Sequence, residues 1–409
     1  MYAVNSRFAN CSQVDKTSKT VNDIPREIIE KIVFLCDGVT IKRLSAVNKL
    51  FNEAVVKQHQ FKSVWKKCVE TEIDKDIVYE LSRCNELSPQ QLSRNENYLE
   101  DWHYKVYVKW YRSMNVGKWV STDTGIDGFF QNPVTCIKLS GDLIIMGHRD
   151  GCVSICDHLS KTIQVSGRHI RMVTDIALVD LAGRDLYRIY ESKEGAVSHH
   201  HHIISISKDQ TIQVYPLLNS SRIDPYARIT LKPSTYELTQ VRVFGNICAV
   251  YSKSMKISLW RMALPHECLI VTEPLVFTHI AYVTVPEQIP GWFNLWETKV
   301  VSGVMFMCIG NGALEEFPIY KHFTSRVTSI ALWGGIFAVG LESGEVAIYR
   351  CSSVYDLRTL RKPVYRRRLH PERGQEAIVA LDISDNGRGP IVVASSKEAV
   401  SVLQWSPSY

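Results

Sequence analysis

The chain lacks most of the segments that announce chemistry. Its 409 residues contain no P-loop, GxSxG or HExxH stretch, which removes the common phosphate-cradling, nucleophilic and zinc-hydrolase arrangements. The 11 cysteines form no CxxC pair and no zinc-ligand spacing. Cys136, Cys152, Cys156, Cys248 and Cys308 sit in apolar, strand-like runs, where a free thiol behaves as a small hydrophobe, so a reducing compartment is expected. No apolar run is long enough to span a bilayer, and Met1 to Thr20 is polar, without the apolar core of a secretory signal. Cytosol or nucleus follows as the expected location, with no membrane partner. Strong charge is missing too: 48 Lys+Arg against 42 Asp+Glu leaves +6, too small an excess to call for nucleic acid. The absence of clustered carboxylates or metal ligands points to a non-catalytic chain that needs no cofactor. What is present is ordinary for a globular protein: 45% hydrophobic and 22% charged residues.

Two regions differ in character. From Asp23 to Cys68 the apolar residues recur at helical spacing. Pro25 suits a helix start, with Asp23 or Asn22 as cap, and Ile28, Ile29, Ile32, Val33 and Leu35 follow. Asp37-Gly38 ends this helix. Thr40 can cap a second helix carrying Ile41, Leu44 and Val47, and a third carries Leu50, Phe51, Ala54 and Val55. Three short helices cannot cover both apolar faces of the first. Each large apolar side chain left wet forgoes roughly 1.5–3 kcal/mol, so a partner groove is expected.

The run Ile24-Pro25-x-Glu27-Ile28-Ile29-x-x-Ile32, then Leu44-x-Ala46-Val47-x-x-x-Phe51 and Val64-Trp65-Lys66, resembles an F-box. Asn48-Lys49-x-Phe51 stands where that family has Cys-Arg-x-Trp, and Ile-Pro replaces Leu-Pro. The resemblance implies docking of a Skp adaptor, and through it a cullin and RING ligase core, by Ile24, Pro25, Ile28, Ile32, Leu44, Val47 and Phe51. Between Glu70 and Asn115, Trp102, Val106 and Trp110 fall four apart with Tyr107 and Tyr111 beside them; this aromatic helix reads as a strut for the domain that follows.

From Val116 the period becomes strand-like. Val134–Leu139, Leu143–Gly147 and Asp150–Asp157 form a unit of three strands that recurs from Val173, Val241, Val327 and Ile378, with a less regular copy between Thr278 and Tyr320. Strand repeats of this length argue for a β-propeller of about six blades, with room for a seventh between Ala263 and Tyr320. The Val-Thr-x-Ile-x-Leu and Asp/Glu-Gly-x-Val pieces resemble WD repeats. The Trp-Asp dipeptide, however, stands as Cys156-Asp157, Tyr215-Pro216, Trp260-Arg261 and Tyr349-Arg350, which argues against a buried Asp–His network. Val116 to Val120 is the candidate outer strand that locks the chain's two ends together, so trimming past Ser401 should destabilise the domain.

The expected organisation is therefore a disordered tail (1–20), a three-helix F-box (21–69), a helical linker (70–115) and a WD-type β-propeller (116–409). Propellers bind partners at the turns before the first strand and between the second and third. Asn132, Arg149, Arg171, Lys208, Lys253, Arg326, Glu342 and Lys397 fall there, mostly basic. The candidate target face is Arg149, Arg171, Lys208, Lys253, Arg326 and Lys397. Such a face suits an acidic or phosphorylated protein, as related F-box propeller proteins imply. His199-His200-His201-His202 reads as a loop insertion, and Lys362 to Arg368 with Arg373 as an outer strand or loop. The function implied is substrate recognition in an SCF-type ubiquitin ligase; the alternative is a non-degradative scaffold.

Overall fold

Pro25 has no N–H to bond, and the chain uses it where none is needed. The computed structural model of the chain describes residues 24–60, 63–75, 77–78, 81, 96–126, 132–180, 201–217, 229–231, 235–244, 246–263, 276–284, 293–296, 299–302, 305–308, 314–316, 319–360, 362–369 and 376–406. The chain parts into two compact units, Met1–Trp65 and Lys66–Tyr409.

The first unit is helical: α1 (Arg26–Leu35), α2 (Gly38–Leu44), α3 (Lys49–Gln60) and the start of α4 (Ser63–Glu72). Pro25 is the N-cap of α1, and its carbonyl accepts from the N–H groups of Ile28 and Ile29 at 3.0 and 3.2 Å. Asp37, not Thr40, caps α2, its Oδ1 accepting from the Thr40 N–H at 2.6 Å. That bond holds the Asp37 carboxyl below its usual range. Asn48 likewise accepts from the Phe51 N–H at 2.9 Å at the start of α3. Helix α3 packs on α1 and α2, and Ile29, Val33, Ile41, Phe51, Ala54 and Val55 are buried.

The second unit holds α5 (Glu96–Met114) and six four-stranded antiparallel sheets. The first sheet is β2 (Val134–Ser140), β3 (Leu143–His148), β4 (Cys152–Asp157) and β5 (Thr162–Arg168). The second is β6 (Val173–Asp180), β7 (His201–Ser207), β8 (Ile212–Leu217) and β9 (Ile229–Leu231). The third is β10 (Leu238–Phe244), β11 (Ile247–Ser252), β12 (Lys256–Ala263) and β13 (Val276–Thr284). The fourth is β14 (Phe293–Trp296), β15 (Lys299–Ser302), β16 (Met305–Cys308) and β17 (Leu314–Glu316). The fifth is β18 (Val327–Trp333), β19 (Ile336–Leu341), β20 (Glu345–Arg350) and β21 (Tyr365–Arg368). In the last, β22 (Ala380–Asp385), β23 (Pro390–Ser395) and β24 (Val400–Ser406) take β1 (Val120–Ile126) as their outer strand.

The repeated Val-Thr pair has a local reason. Register slips by a residue after Val134, Val173, Leu238 and Val327, a bulge that frees the following threonine from the ladder. Thr135 Oγ1 then donates to the carbonyls of Gly147 in its own sheet (3.0 Å) and Val173 in the next (2.7 Å). Thr174 does the same with Ile206 (3.2 Å) and Leu238 (2.9 Å). Two carboxylates reinforce such seams. Asp175 accepts from the Val241 N–H at 3.0 Å and pairs with Arg242, while Asp382 accepts from the Leu139 N–H and Lys138 Nζ, both at 2.8 Å. First strands pack accordingly: β2 on β6, β6 on β10, β10 on β14, β14 on β18, β18 on β22, and β22 on β2.

Helix α5 seats at the β18–β19 and β22–β23 turns. Ser113 Oγ donates to the Gly334 carbonyl at 2.5 Å, Arg112 pairs with Asp385 at 3.3 Å, and Arg350 donates to the Val116 carbonyl at 2.7 Å. Gly334 has a positive φ of 56°, and a Cβ there would sit 2.9 Å from Leu81 Cδ2; both demands select glycine.

The expected fold class is corrected by these observations. A fourth helix extends the N-terminal run, and with α5 the described residues hold five α-helices, not a three-helix F-box. The β portion is a set of separate four-stranded sheets whose ladders stay within each sheet, and the WD-type β-propeller label is withdrawn. The repeat specified hairpins and turns; it lacked the Trp-Asp signature that would have tied those hairpins to the WD class. Three narrower expectations also shift. The outer strand that meets β24 is Val120–Ile126, downstream of the segment expected. Val276–Thr284 belongs to the third sheet, so the irregular fourth unit begins at Phe293. His201 and His202 open β7 instead of lying in a loop, while His199, His200 and the tail 1–20 lie outside the described residues.

Truncation after Ser401 removes Val402–Ser406, which pair with Val120–Thr124 and, through Gln404, Leu403 and Val402, with Ile391–Val393, and which include the fully buried Trp405. Cooperative thermal unfolding of the second unit is expected to be lost; an unchanged melting curve would show that the last sheet does not need the pairing of β24 with β1 and β23.

Candidate functional site

Helix α1 carries more apolar residues than one stripe can hold. Ile29 and Val33, four apart, are buried; Ile28, Ile32 and Leu35 continue the helical spacing on a different side and are exposed. Leu35 is 76% exposed and Val47, after α2, 62%. Pro25 is exposed, and Ile24 and Leu44 are half-buried. Phe51, expected on the adaptor face, is instead 8% exposed and belongs to the unit's own core. Its helical position explains this: Phe51, Ala54 and Val55 form one stripe on α3, which packs on α1. Leu35, Phe34 and Val56 are further exposed apolar residues, outside the expected adaptor face. The signal was available in Ile28-Ile29-x-x-Ile32-Val33-Phe34-Leu35, where adjacent apolar pairs cannot both point inward.

Arg149, Lys208, Lys253 and Glu342 occupy one repeated turn position. The N–H groups of Arg149, Lys208, Lys253 and Glu342 donate to the carbonyls of Pro133 (3.0 Å), Met172 (3.0 Å), Glu237 (2.9 Å) and Arg326 (2.8 Å), each closing the entry of a first strand against the exit of a second. Lys397 occupies the turn between β23 and β24. These turns lie at the end of each sheet opposite the β18–β19 and β22–β23 turns that receive α5. Arg149, Arg171, Lys253, Arg326 and Lys397 are exposed and Lys208 is half-buried. Asn132 is held by Asp150, its Nδ2 donating at 2.9 Å.

One subset converges. Lys253 Nζ pairs with Glu237 Oε2. The hydrogen bond from Lys253 holds the Glu237 carboxyl below its usual range against the opposing effect of burial, and the charges of Lys253, Lys208 and Arg171 add to it. Lys253 of the third sheet thus contacts this carboxylate, and Arg171 and Lys208 of the second act on it by charge. Ile170, 90% exposed, and Tyr236, 56% exposed, flank them. Among the described residues no contact draws Arg149, Arg326 or Lys397 into this cluster.

Two buried histidines correct the expectation that the Asp–His network would be absent. His169 Nε2 meets Ser205 Oγ at 2.8 Å, its Nδ1 meets Thr211 Oγ1 at 2.9 Å, and Asp209 Oδ2 lies 3.6 Å away. Asp209 also accepts from the Ile170 and Thr211 N–H groups at 2.9 Å. His148 Nε2 meets Ser154 Oγ at 2.6 Å, and burial pushes its pKa down. The Ser205–His169–Asp209 order has the composition of a nucleophile relay, yet Ser205 is 0% and His169 2% exposed, so no substrate reaches it. It fixes the Ile170–Arg171 turn. The sequence signal was Ser205-x-Ser207-x-Asp209 with His169 ahead of the next first strand. Among the described residues no group of three or more His, Cys, Asp or Glu side chains could hold a metal ion, and no helix is long and apolar enough to cross a membrane. The basic run at Lys362 to Arg368 resolves into β21, where Arg366 pairs with Glu345 (2.8 Å) and Arg367 with Asp123 (3.2 Å); Arg373 lies outside the described residues.

Burial raises the Asp209 pKa, but its hydrogen bonds from Thr211 and Ile170 and the neighbouring His169 outweigh that and leave it below the ordinary carboxylate range. A lowered folded-state value means that this group stabilises the fold above its unfolded pKa and that the contribution is lost as pH falls through the folded value. Asp209→Ala is expected to cost about 1–3 kcal/mol near pH 7 by stranding three donors. The difference from wild type should shrink under acid, in urea melts run across pH; a deficit independent of pH would contradict the ionised role.

No family model matches the chain, and no curated protein matches it. Among solved structures, the crystal structure of the computationally designed Ika8 protein is 14% identical to the chain, covers 68% of it and 97% of the designed chain, and superposes with a TM-score of 0.37, a likeness too weak to place the chain in a fold family.

Proposed function

We propose that this chain is a non-catalytic substrate-recognition subunit of an SCF-type ubiquitin ligase, working in the cytosol or nucleus. Residues 21–69 would dock a Skp adaptor and, through it, the cullin and RING core. The basic turns of the β unit would hold an acidic or phosphorylated target protein. The observation that carries this reading is the exposed stripe Ile28, Ile32 and Leu35 with Val47, next to a small core that is already complete without them. Water contact at each large side chain forgoes roughly 1.5–3 kcal/mol, which an apolar partner groove would recover. The F-box-like spacing of the same segment names the partner class.

Co-purification with the Skp adaptor tests it. Ile28→Asp with Ile32→Asp is expected to abolish capture while leaving the fold intact, because both positions are exposed. Phe51→Ala should instead cost the helical unit about 3–5 kcal/mol through loss of a core side chain. Adaptor binding that survives the Asp pair, or is missing in the wild type, would favour a non-degradative scaffold.

A further inference from the structure

Three buried donors line one seam of the β unit. The Nε of Arg350, the hydroxyl of Tyr365 and the Nε1 of Trp405 are shielded from water, and none has a hydrogen-bond partner among the described residues. The ladders bring them together. Ile348 and Arg350, two apart on β20, lie on one face, and Ile348 pairs with Tyr365 of β21. The Tyr365 ring then meets Trp405 of β24 edge-on, with centroids 5.2 Å apart. The seam therefore lies between the fifth and last sheets. Arg350 is anchored beside it, Nη2 donating to the Val116 carbonyl at 2.7 Å. Among the described residues Arg350 forms no ion pair, and the carboxylates around the seam are engaged elsewhere: Glu345 with Arg366, Asp123 with Arg367 and Asp385 with Arg112. Burial pushes the Arg350 pKa down, as expected of a charge held in a poor solvent.

We propose that this seam binds one small monovalent inorganic anion, of the size of chloride, held by Arg350 Nε, the Tyr365 hydroxyl and Trp405 Nε1. The donor set selects the ligand. A water molecule offers two lone pairs to three donors, brings two hydrogens that need acceptors of their own, and leaves the guanidinium charge uncompensated. A halide accepts from all three donors and cancels the charge. A phosphate or sulfate would bring a second charge that one guanidinium does not match, and burying an unmatched charge is costly. Trp405 is fully buried, whereas Arg350 and Tyr365 each keep part of their surface in water, which gives a small ion a way in. An anion bound here would tie β20 and β21 of the fifth sheet to β24 of the last.

Thermal melts of the full chain, titrated with sodium chloride against sodium gluconate at one ionic strength, test this. The wild type is expected to melt higher in chloride, with a rise that follows binding to a single site. Arg350→Met keeps most of the side chain's length and removes its charge, and should abolish the chloride response. Tyr365→Phe should keep the response but need about tenfold more chloride to reach it, through loss of one donor to a charged partner. A wild type that melts alike in the two salts overturns the site. So does a chloride response that persists in Arg350→Met. Should Arg350→Met fail to fold, Tyr365→Phe decides: a wild-type chloride midpoint in that variant also overturns the site.

Discussion

The seven residues of β1, Val120–Ile126, hydrogen-bond along the last seven described residues, Val400–Ser406. The rest of the β unit depends on this pairing. It joins chain ends separated by the five other sheets, and it covers β24, whose Val400, Val402, Leu403 and Trp405 are buried. An uncovered β24 would present a long apolar edge, the feature that sheet proteins avoid. Arg367 of β21 reaches Asp123 of β1, and Tyr365 meets Trp405 of β24 edge-on at 5.2 Å, so the neighbouring sheet contacts both paired strands.

Around that pairing the unit has two unlike ends. One end receives α5 through Ser113, Arg112 and the closely approached Gly334. The other presents turns whose backbones are tied down and at which Arg149, Arg171, Lys253, Arg326 and Lys397 are exposed. The His169–Asp209 contact shows the principle: burying one imidazole and satisfying one carboxylate fixes a turn so that Ile170 and Arg171 can face water in a set geometry. Rigid turns carrying exposed cations suit recognition, because a ligand then meets donors that have little freedom left to lose.

Much of this was legible in the sequence. Runs such as Leu143–Gly147 and Ile391–Ala394 read as central strands because both faces are buried, and Pro25 marked a helix start. The basic turns were found because Gly and Asp punctuate each hairpin. What the sequence hid was long-range. Phe51 was assigned to an exposed face because spacing within one helix does not reveal which stripe its neighbour covers. The seam made by Asp175 with Val241 and Arg242, and that of Asp382 with Lys138 and Leu139, joins residues 66 and 243 positions apart in its backbone contacts, which no local pattern encodes. Strand patterns were likewise mute on architecture, so the expected fold class ran ahead of what hairpins can specify.

Native-state hydrogen exchange across β1 and β24 tests the central dependence most directly. The account predicts that the amides of Val120–Ile126 and Val400–Ser406 open together, with one free energy, and that Arg112→Ala lowers both by releasing α5 from Asp385. Rapid exchange throughout Val120–Ile126 while Val400–Ser406 stays protected would contradict it.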